Sequence, residues 1–390
     1  MPEYKKSGYT NIFSKLGIPE QEIEKRVADT FDAMFLGTEG VRIYHDAGDD
    51  MGYVEDTGNV DARTEGMSYG MMFCVQLDRK DIFDKIWKWA MTNMYMTEGH
   101  HAGYFAWSCA PDGRKNADGP APDGEEYFAM ALFFASHRWG DGEGIYNYSH
   151  WARTILHDCI HRNGESDKKG STMWDLDNKL IKFGPDVNFT DASYHLPHFY
   201  ELFALWADEC DREFWKEAAK ASREYLHRAC HPVTGLCSDY GEYTGAPIKN
   251  VPWNQNGRFD RYYYDSYRTV MNMALDHEWF GVDEWQCENA AKVQRFYRKA
   301  GDKWELVPEH DGVFTTEKVM HPVAVIASNG AASLASWDGY PGADESVMEN
   351  AKYFAKKLWD TPLREGKRRY YDNCLYLFAM LMLSGNYKIW

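Results

Sequence analysis

Five acidic residues stand where long connecting segments give way to apolar runs, and each could donate or accept a proton. They are Glu65 in RTEGMSYGMM, Asp123 in APDGEEYFA, Asp191 in FTDASYHLP, Asp265 in YYYDSYRTV and Asp372 in RRYYDNCLY. If the helices that they begin all start at one pole of the fold, the carboxyls gather there beside aromatic side chains. Cleavage of a glycosidic bond requires such a group, because one carboxylic acid protonates the leaving oxygen and a carboxylate activates water. Like charges and apolar neighbours keep one member protonated near neutral pH.

Helix capping is the alternative role for these acids. Asp is a preferred N-cap residue, so on residue chemistry alone capping is the favoured interpretation for Asp123, Asp265 and Asp372. Asp123 and Glu126 also have the spacing of a capping box just before the apolar run YFAMALFFA. Glu65 is a poor cap, and its alternative is a first-turn interaction with the helix dipole.

The elements that position these acids follow from apolar periodicity, which predicts twelve helices and few strands. The helices span about 20–38, 64–78, 81–97, 124–138, 150–162, 196–209, 211–230, 266–280, 284–300, 323–337, 345–359 and 369–384. Short and long connections alternate between them. Helices joined by short turns lie antiparallel, so the long loops should collect on one face.

The helices that begin at 64, 124, 266, 323 and 369 are apolar or small on most sides, which is typical of buried helices. The others are amphipathic and suit an outer layer. We therefore predict an all-α fold in which six helical hairpins close an inner and an outer ring. A helix-repeat solenoid would give the same elements, but no fixed-period repeat is visible. No linker or break in composition divides the chain, so residues 1–390 are predicted to form one catalytic domain.

Composition narrows the partners and the location. The formal net charge of −17 disfavours nucleic acid and anionic membrane surfaces as partners. The aromatic share of 16% suits either a large core or the flat walls of a sugar-binding cleft. No apolar run is long enough to span a membrane, and MPEYKKSGYT does not read as a signal peptide. The eight cysteines are scattered without a CxxC pair, so we predict free thiols and a cytoplasmic location.

No cofactor or metal is expected in the reaction. The sequence contains no GxGxxG, P-loop or GxSxG motif. His100 and His101 follow Glu98 without the helical spacing of a zinc hydrolase. His195 and His198 flank Pro197 and are interpreted as hydrogen-bonding residues at a helix start rather than as ligands.

Several of these segments together resemble glycoside hydrolase family 8. They are RTEGMSYGMM, HAGYFAWSC, APDGEEYFAMAL, DSYR and YYDNCLYLFAML, and they occur in the family's order through most of the chain. Any one of them alone would be weak evidence. The closest resemblance is to the reducing-end xylose-releasing exo-oligoxylanases of that family. The family's fold is an (α/α)6 toroid, which agrees with the helix pairing inferred from the connections.

The resemblance implies roles at the matching positions. Glu65 in TEGMSYG matches the general acid, and Asp265 in DSYR matches the general base. Asp123 in APDG matches the carboxylate that holds the sugar at the cleavage subsite. The inverting mechanism of the family predicts that the Glu65 and Asp265 carboxyls lie roughly 6.5–9.5 Å apart.

Three aromatic and basic residues complete the site that the resemblance implies. Trp107 in GYFAWSC resembles the stacking platform for a sugar, although a core tryptophan is the alternative. Tyr194 and Arg268 resemble the neighbours that hold the attacking water and the base.

The mode of action rests on two further positions. Met320-His321-Pro322 resembles the kink that closes the cleft beyond the first leaving-side subsite in the exo-oligoxylanases. His321 would then hydrogen-bond the reducing-end hydroxyl, whereas the alternative is an incidental histidine before a helix-start proline. Glu125 occupies the position where endo-acting members tend to carry a second aspartate, which weakens a cellulase or chitosanase interpretation.

Three hypotheses therefore stand. The first is an inverting hydrolase that releases xylose from the reducing end of short β-1,4-xylo-oligosaccharides. The second is an endo-acting member of the same family that cleaves xylan, β-glucan or chitosan. The third is a non-catalytic, sugar-binding toroid.

Overall fold

The computed structural model describes residues 2–48, 50–162 and 168–390, and thirteen α-helices are its main elements. They are α1 (Ile12–Lys15), α2 (Glu20–Phe35), α3 (Thr64–Gln76), α4 (Lys80–Asn93), α5 (Pro122–Trp139), α6 (Tyr148–Ile160), α7 (Pro197–Trp206), α8 (Arg212–Ala229), α9 (Tyr267–Trp279), α10 (Trp285–Ala300), α11 (Pro322–Ser336), α12 (Glu345–Asp360) and α13 (Arg369–Leu383). The twelve predicted helices are confirmed, with ends that differ by a few residues. The short helix α1 was not predicted, because four residues are too few to show periodicity.

The helices pack in six pairs. Within the pairs, α3 contacts α4, α5 contacts α6, α7 contacts α8, α9 contacts α10, α11 contacts α12, and α13 contacts α2. The first member of each pair also contacts the first members of its two neighbouring pairs, and α13 returns to α3. These six helices therefore close a ring, and the predicted (α/α)6 toroid is confirmed.

The inner and outer rings differ in how they bury their residues. In α11 every residue from Ala324 to Ser336 is buried, and in α13 every residue from Tyr370 to Leu383. The outer helix α8 instead buries one face, with Trp215 and Tyr225 turned inward. This difference follows from sequence, since a helix with apolar or small residues on all sides is stable only when it is surrounded.

Short strands order the long loops at the pole where the inner helices begin. One antiparallel sheet contains β1 (Tyr44–Asp46), β2 (Gly52–Asp56), β3 (Asp61–Arg63) and β4 (Ser108–Cys109), in that order. The other two sheets pair β5 (Thr190–Asp191) with β6 (Tyr240–Gly241), and β7 (Leu306–Pro308) with β8 (Phe314–Lys318). Strand β3 is followed directly by α3, so the pairing of β3 with β4 fixes the position of Glu65 in the first turn of α3.

Among the described residues, no helix combines the length and the apolar character that crossing a membrane requires. All eight cysteines are free, and all but Cys210 are buried. The predicted free thiols are therefore confirmed.

Candidate active site

A buried arginine at the start of α9 connects three of the predicted carboxylates. Arg268 Nη1 donates to Glu65 Oε2 and to Asp123 Oδ2, each at 2.9 Å. Arg268 Nη2 lies 2.9 Å from Asp265 Oδ1. Glu65 and Asp265 thus contact neighbouring nitrogens of one planar guanidinium, which holds the bonded oxygens no more than about 8 Å apart. Residues from α3, α5 and α9 therefore meet at one point, as the sequence predicted.

These three carboxyls differ in their access to solvent. The side chain of Asp265 is 27% exposed and that of Glu65 is 15% exposed, whereas the side chain of Asp123 is 7% exposed. A substrate entering from solvent can therefore reach Glu65 and Asp265 directly. Asp123 lies deeper, where burial raises the pKa of its carboxyl while Arg268 opposes the rise.

Glu65 has the electrostatic environment of a proton donor. Burial is the largest influence and raises the pKa of the Glu65 carboxyl to about 7, although Arg268 opposes it, and the nearby carboxyls of Asp265 and Asp123 raise the pKa further. Tyr370 Oη donates to Glu65 Oε1 at 2.6 Å, which favours the ionised form and limits the rise. A pKa near 7 lets the Glu65 carboxyl hold a proton and donate it to a substrate near neutral pH.

The capping interpretation is wrong for Asp123, Asp265 and Asp372. The N-cap residues of their helices are Ala121, Ser266 and Arg368. The Asp123 carboxylate accepts from the N–H of Gly124 rather than from a residue two or three positions onward, so the capping box is absent as well. Because these acids do not cap their own helices, their side chains can contact Arg268 and His321.

Two glycines permit the close approach of the helices that carry the acids. A Cβ at Gly124 would lie 2.4 Å from the Cβ of Thr64, and one at Gly66 would lie 2.7 Å from the Tyr370 ring. Each glycine directly follows one of the acids, Asp123 or Glu65. A side chain at either position would separate helix starts that must touch.

The short 3-10 turn before α9 fixes the orientation of Asp265. Tyr264, in the same turn, has a φ of +45°, which is rare for a bulky residue and costs about 1–3 kcal/mol. Its carbonyl oxygen accepts from Tyr371 Oη at 2.8 Å. Ser266 Oγ closes the turn by donating to the Tyr263 carbonyl at 2.7 Å. The surrounding hydrogen bonds therefore hold Asp265 in a conformation that the isolated turn would not favour.

Two further aspartates adjoin Asp265. Oxygens of Asp191, Asp239 and Asp265 lie within 4.8 Å of one another. Asp191 is fully buried, and its Oδ1 accepts from the Ser193 N–H at 2.7 Å, so this predicted acid acts as the cap of a turn. Burial raises the pKa of both Asp191 and Asp239 well above the usual range. A raised pKa favours the neutral form of these two neighbours, which limits the negative charge beside Asp265.

Tyr194 and Trp107 lie beside this group. Tyr194 is buried, the Arg268 guanidinium lies 5.6 Å from its ring centroid, and Tyr200 Oη donates to its carbonyl at 3.0 Å. Trp107 is 37% exposed, so the core alternative is wrong for it. Its carbonyl accepts from the Thr64 N–H at 3.0 Å, next to Glu65, and the Arg63 guanidinium lies 5.2 Å from its ring centroid.

His321 stands at the N-cap position of α11, close to the turn that carries Asp265. Its ring centroid lies 5.7 Å from that of Tyr264 and 5.1 Å from that of Tyr371. Its Nδ1 lies 3.1 Å from Asp372 Oδ2, and the fully buried Asp372 also accepts from Arg364 and from the Ala324 N–H. Asp372 is therefore a partner of His321 rather than a member of the carboxyl group around Arg268.

Sequence reasoning missed several contributors to the site. Tyr370 binds Glu65, Tyr69 Oη accepts from Arg268 at 2.7 Å, and Asp239 adjoins the base. Tyr370 lies in the first turn of α13 and Tyr69 in the second turn of α3, so their places in RRYYD and GMSYG were available as a signal. Asp239 lies in a loop without a recognisable pattern. The expected hydrogen-bonding role is confirmed for His195, whose ring nitrogens contact Thr190 and Ser222. It is wrong for His198, whose two ring nitrogens are buried without a hydrogen-bond partner among the described residues.

Comparison with known proteins adds to this geometry. The model of glycosyl hydrolases family 8 matches residues 21–385. A curated reducing end xylose-releasing exo-oligoxylanase of Halalkalibacterium halodurans is 58% identical over 383 residues, which cover 98% of this chain and 94% of the relative. One of Bifidobacterium adolescentis is 50% identical and covers 97% and 96%. The structure of Rex8A from Paenibacillus barcinonensis complexed with xylose superposes with a TM-score of 0.92 at 51% identity, over 98% of this chain and 97% of that one.

Proposed function

Because this chain belongs to glycosyl hydrolase family 8, we propose that the site around Arg268 hydrolyses xylo-oligosaccharides. The protein is an inverting glycoside hydrolase that releases xylose from the reducing end of short β-1,4-xylo-oligosaccharides. The relatives that share half or more of its residues over nearly its full length carry that activity in their names. The observation that supports this site most directly is the shared contact of Glu65 and Asp265 with one guanidinium.

The proposed mechanism divides the chemistry between these two acids. Glu65 protonates the leaving oxygen, while Asp265 takes a proton from the water that attacks the anomeric carbon on the opposite face. The pKa of about 7 supports Glu65 as the donor. Asp265 is the more exposed of the two carboxyls, so the attacking water can reach it, and Arg268 Nη2 holds it at 2.9 Å.

The neighbours are assigned supporting roles. Asp123 holds the sugar at the cleavage subsite, and Trp107 offers an exposed ring face for stacking. Tyr194 holds the attacking water and Arg268 holds the base. The burial of Tyr194 and Arg268 against each other supports positioning rather than proton transfer.

We assign the release of a single xylose to the Met320–Pro322 segment. His321 is nearly buried and held by Asp372, and Arg364 Nη1 donates to the Met320 carbonyl at 2.6 Å. Because these contacts hold both Met320 and His321 in place, the segment can close the cleft after one leaving-side sugar. His321 then binds the reducing-end hydroxyl. An endo-acting enzyme would need this end of the cleft to be open.

Location and organisation complete the proposal. We propose a cytoplasmic protein whose 390 residues form one catalytic domain, with no nucleic-acid or membrane partner. Eight free cysteines, seven of them buried, support a reducing compartment. Short xylo-oligosaccharides, rather than polymeric xylan, are the substrates that reach such a compartment.

The decisive experiment follows the first products from xylotriose and from its reduced form by proton NMR. We expect xylose from the reducing end with inverted configuration, no cleavage of the reduced sugar, and untouched polymer. Glu65→Gln should lower kcat by several orders of magnitude without loss of folding, because it removes the proton donor. Cleavage within polymeric xylan would favour the endo-acting hypothesis. Full activity of Glu65→Gln would reject the proposed acid.

A further inference from the structure

A second group of ionisable side chains lies where α6 ends and α8 begins, and it shares no residue with the active site. His157 Nδ1 lies 3.4 Å from Asp211 Oδ2, and His161 Nε2 lies 2.7 Å from Asp211 Oδ1. The two imidazole rings are nearly parallel, with centroids 4.2 Å apart and an interplanar angle of 23°. Two histidines one helical turn apart thus direct nitrogens at opposite oxygens of one carboxylate.

The carboxylate of this group is buried, and imidazoles are its ion-pair partners among the described residues. The Asp211 side chain is 2% exposed, and its ion-pair partners in the described part of the chain are the two histidines. Burial of a carboxylate is unfavourable unless a cation compensates the charge. A cation is therefore favoured beside the buried Asp211 carboxylate.

We propose that His157, His161 and Asp211 form a binding site for a divalent transition-metal ion of the Zn²⁺ type. Two imidazole nitrogens and one carboxylate oxygen suit zinc and its neighbours, whereas magnesium and calcium prefer oxygen ligands alone. Histidines at positions i and i+4 place both rings on one helix face, as in helical zinc sites.

The spacing of the three donor atoms supports this proposal. Two ligands of a tetrahedral zinc ion, each about 2.1 Å from the metal, lie about 3.4 Å apart. One donor atom from each of His157, His161 and Asp211 lies within 4.8 Å of the other two, so small side-chain movements bring the three atoms to that separation. The histidine side chains are 38% and 24% exposed, so an ion can enter and keep water as a further ligand.

Two other groups of donors in the described residues fit a zinc-type ion less well. His100 and His101 also contact one carboxylate, that of Asp186, but their rings lie at 75° to each other and Asp186 is 47% exposed. The group around Asp265 consists of carboxylates that already face Arg268. His100 and His101 also share one carboxylate partner but lack the parallel rings and the buried aspartate, so their double substitution is a matched control.

The bound ion would fasten α6 to the turn that begins α8. Because only the folded chain brings the three residues together, the ion should stabilise the native state by mass action. At a free Zn²⁺ concentration of about 100 times Kd, the Tm should rise by about 3 °C for a chain of this size. The effect should vanish near pH 5, where protonated histidines no longer bind metal.

The test uses the full chain without a histidine tag, freed of metal by a chelator and dialysed. Isothermal titration with Zn²⁺ at pH 7.5 should show one tight equivalent, and calorimetry should show the Tm increase. His157→Gln/His161→Gln and, separately, Asp211→Asn should lose both effects, while His100→Gln/His101→Gln should retain them. Circular dichroism and xylose release from xylotriose confirm that the variants fold. Absence of tight binding by the wild type, or an unchanged tight equivalent in folded variants at 157, 161 and 211, would overturn the proposal.

Discussion

The hydrogen bond from Tyr370 to Glu65 should determine the alkaline limit of activity. Glu65 must be protonated to act as the general acid, so kcat/KM is retained below its pKa and lost as the pH rises through it. Burial sets that pKa to about 7, while Tyr370 Oη, 2.6 Å from Oε1, favours the ionised form and lowers it. Tyr370→Phe removes this donor and keeps the ring that packs against Gly66. The alkaline limb should therefore move to higher pH.

The size of this movement follows from the strength of the lost bond. A hydrogen bond to a charged group contributes about 1.5–3 kcal/mol, and one pKa unit corresponds to about 1.4 kcal/mol. Arg268 continues to donate to Oε2, so part of the stabilisation of the ionised form remains. We therefore expect a shift of about one pH unit, with kcat/KM at pH 5.5 within tenfold of the wild-type value.

The assay is the pH profile of kcat/KM for xylose release from xylotriose between pH 5 and 9. Tyr376→Phe is the matched control on the same helix, because Tyr376 Oη contacts the Thr361 carbonyl and Arg26, away from Glu65. Its profile should coincide with that of the wild type. An alkaline limb that stays in place or moves to lower pH in Tyr370→Phe would show that Glu65 is not the group being titrated.

Two further predictions concern specificity and stability. Asp372 accepts a hydrogen bond from His321 Nδ1, which leaves Nε2 of the ring for the sugar. Asp372→Asn should therefore reduce the preference for xylotriose over reduced xylotriose by about tenfold, measured as the ratio of the two kcat/KM values. An unchanged ratio would show that Asp372 plays no part in recognition of the reducing end. Gly124→Ala places a methyl group 2.4 Å from the Cβ of Thr64. It should therefore lower the free energy of unfolding, measured by chemical denaturation, by about 1–3 kcal/mol. An unchanged free energy of unfolding would mean that α3 and α5 can move apart without loss of stability.

The ring of helices was predictable because it depends on local pattern and on connection length. Apolar runs such as VAVIASNGAASLA predict buried helices wherever they occur, and a short turn leaves a helix little choice but to return beside its predecessor. The eight strands were not predictable in the same manner. They contain two to five residues each and form only because loops from distant positions meet at the pole, as Arg63 meets Ser108.

The sequence indicated which acids could belong to the site, but it did not indicate which residues they contact. Glu65 and Asp123 could be named from their motifs, yet capping was favoured for Asp123 because side-chain chemistry alone does not reveal backbone conformation. The structure gives the cap to Ala121, a residue that the sequence does not recommend. The contact between Arg268 and Glu65 joins positions 203 residues apart, so it depends on closure of the ring.

Among the described residues, Arg268 is the cation that contacts this group of acids, and burial opposes the ionised form of several of them. Arg268 contacts Glu65, Asp123 and Asp265, and two further carboxyls lie close to Asp265. Five ionised carboxyls around one guanidinium would repel one another strongly at this burial. Burial raises the pKa of the Asp191 and Asp239 carboxyls well above the usual range and raises that of Glu65 to about 7. The same desolvation that makes the group tolerable thus leaves one acid able to give up a proton, while the more exposed Asp265 beside Arg268 can accept one.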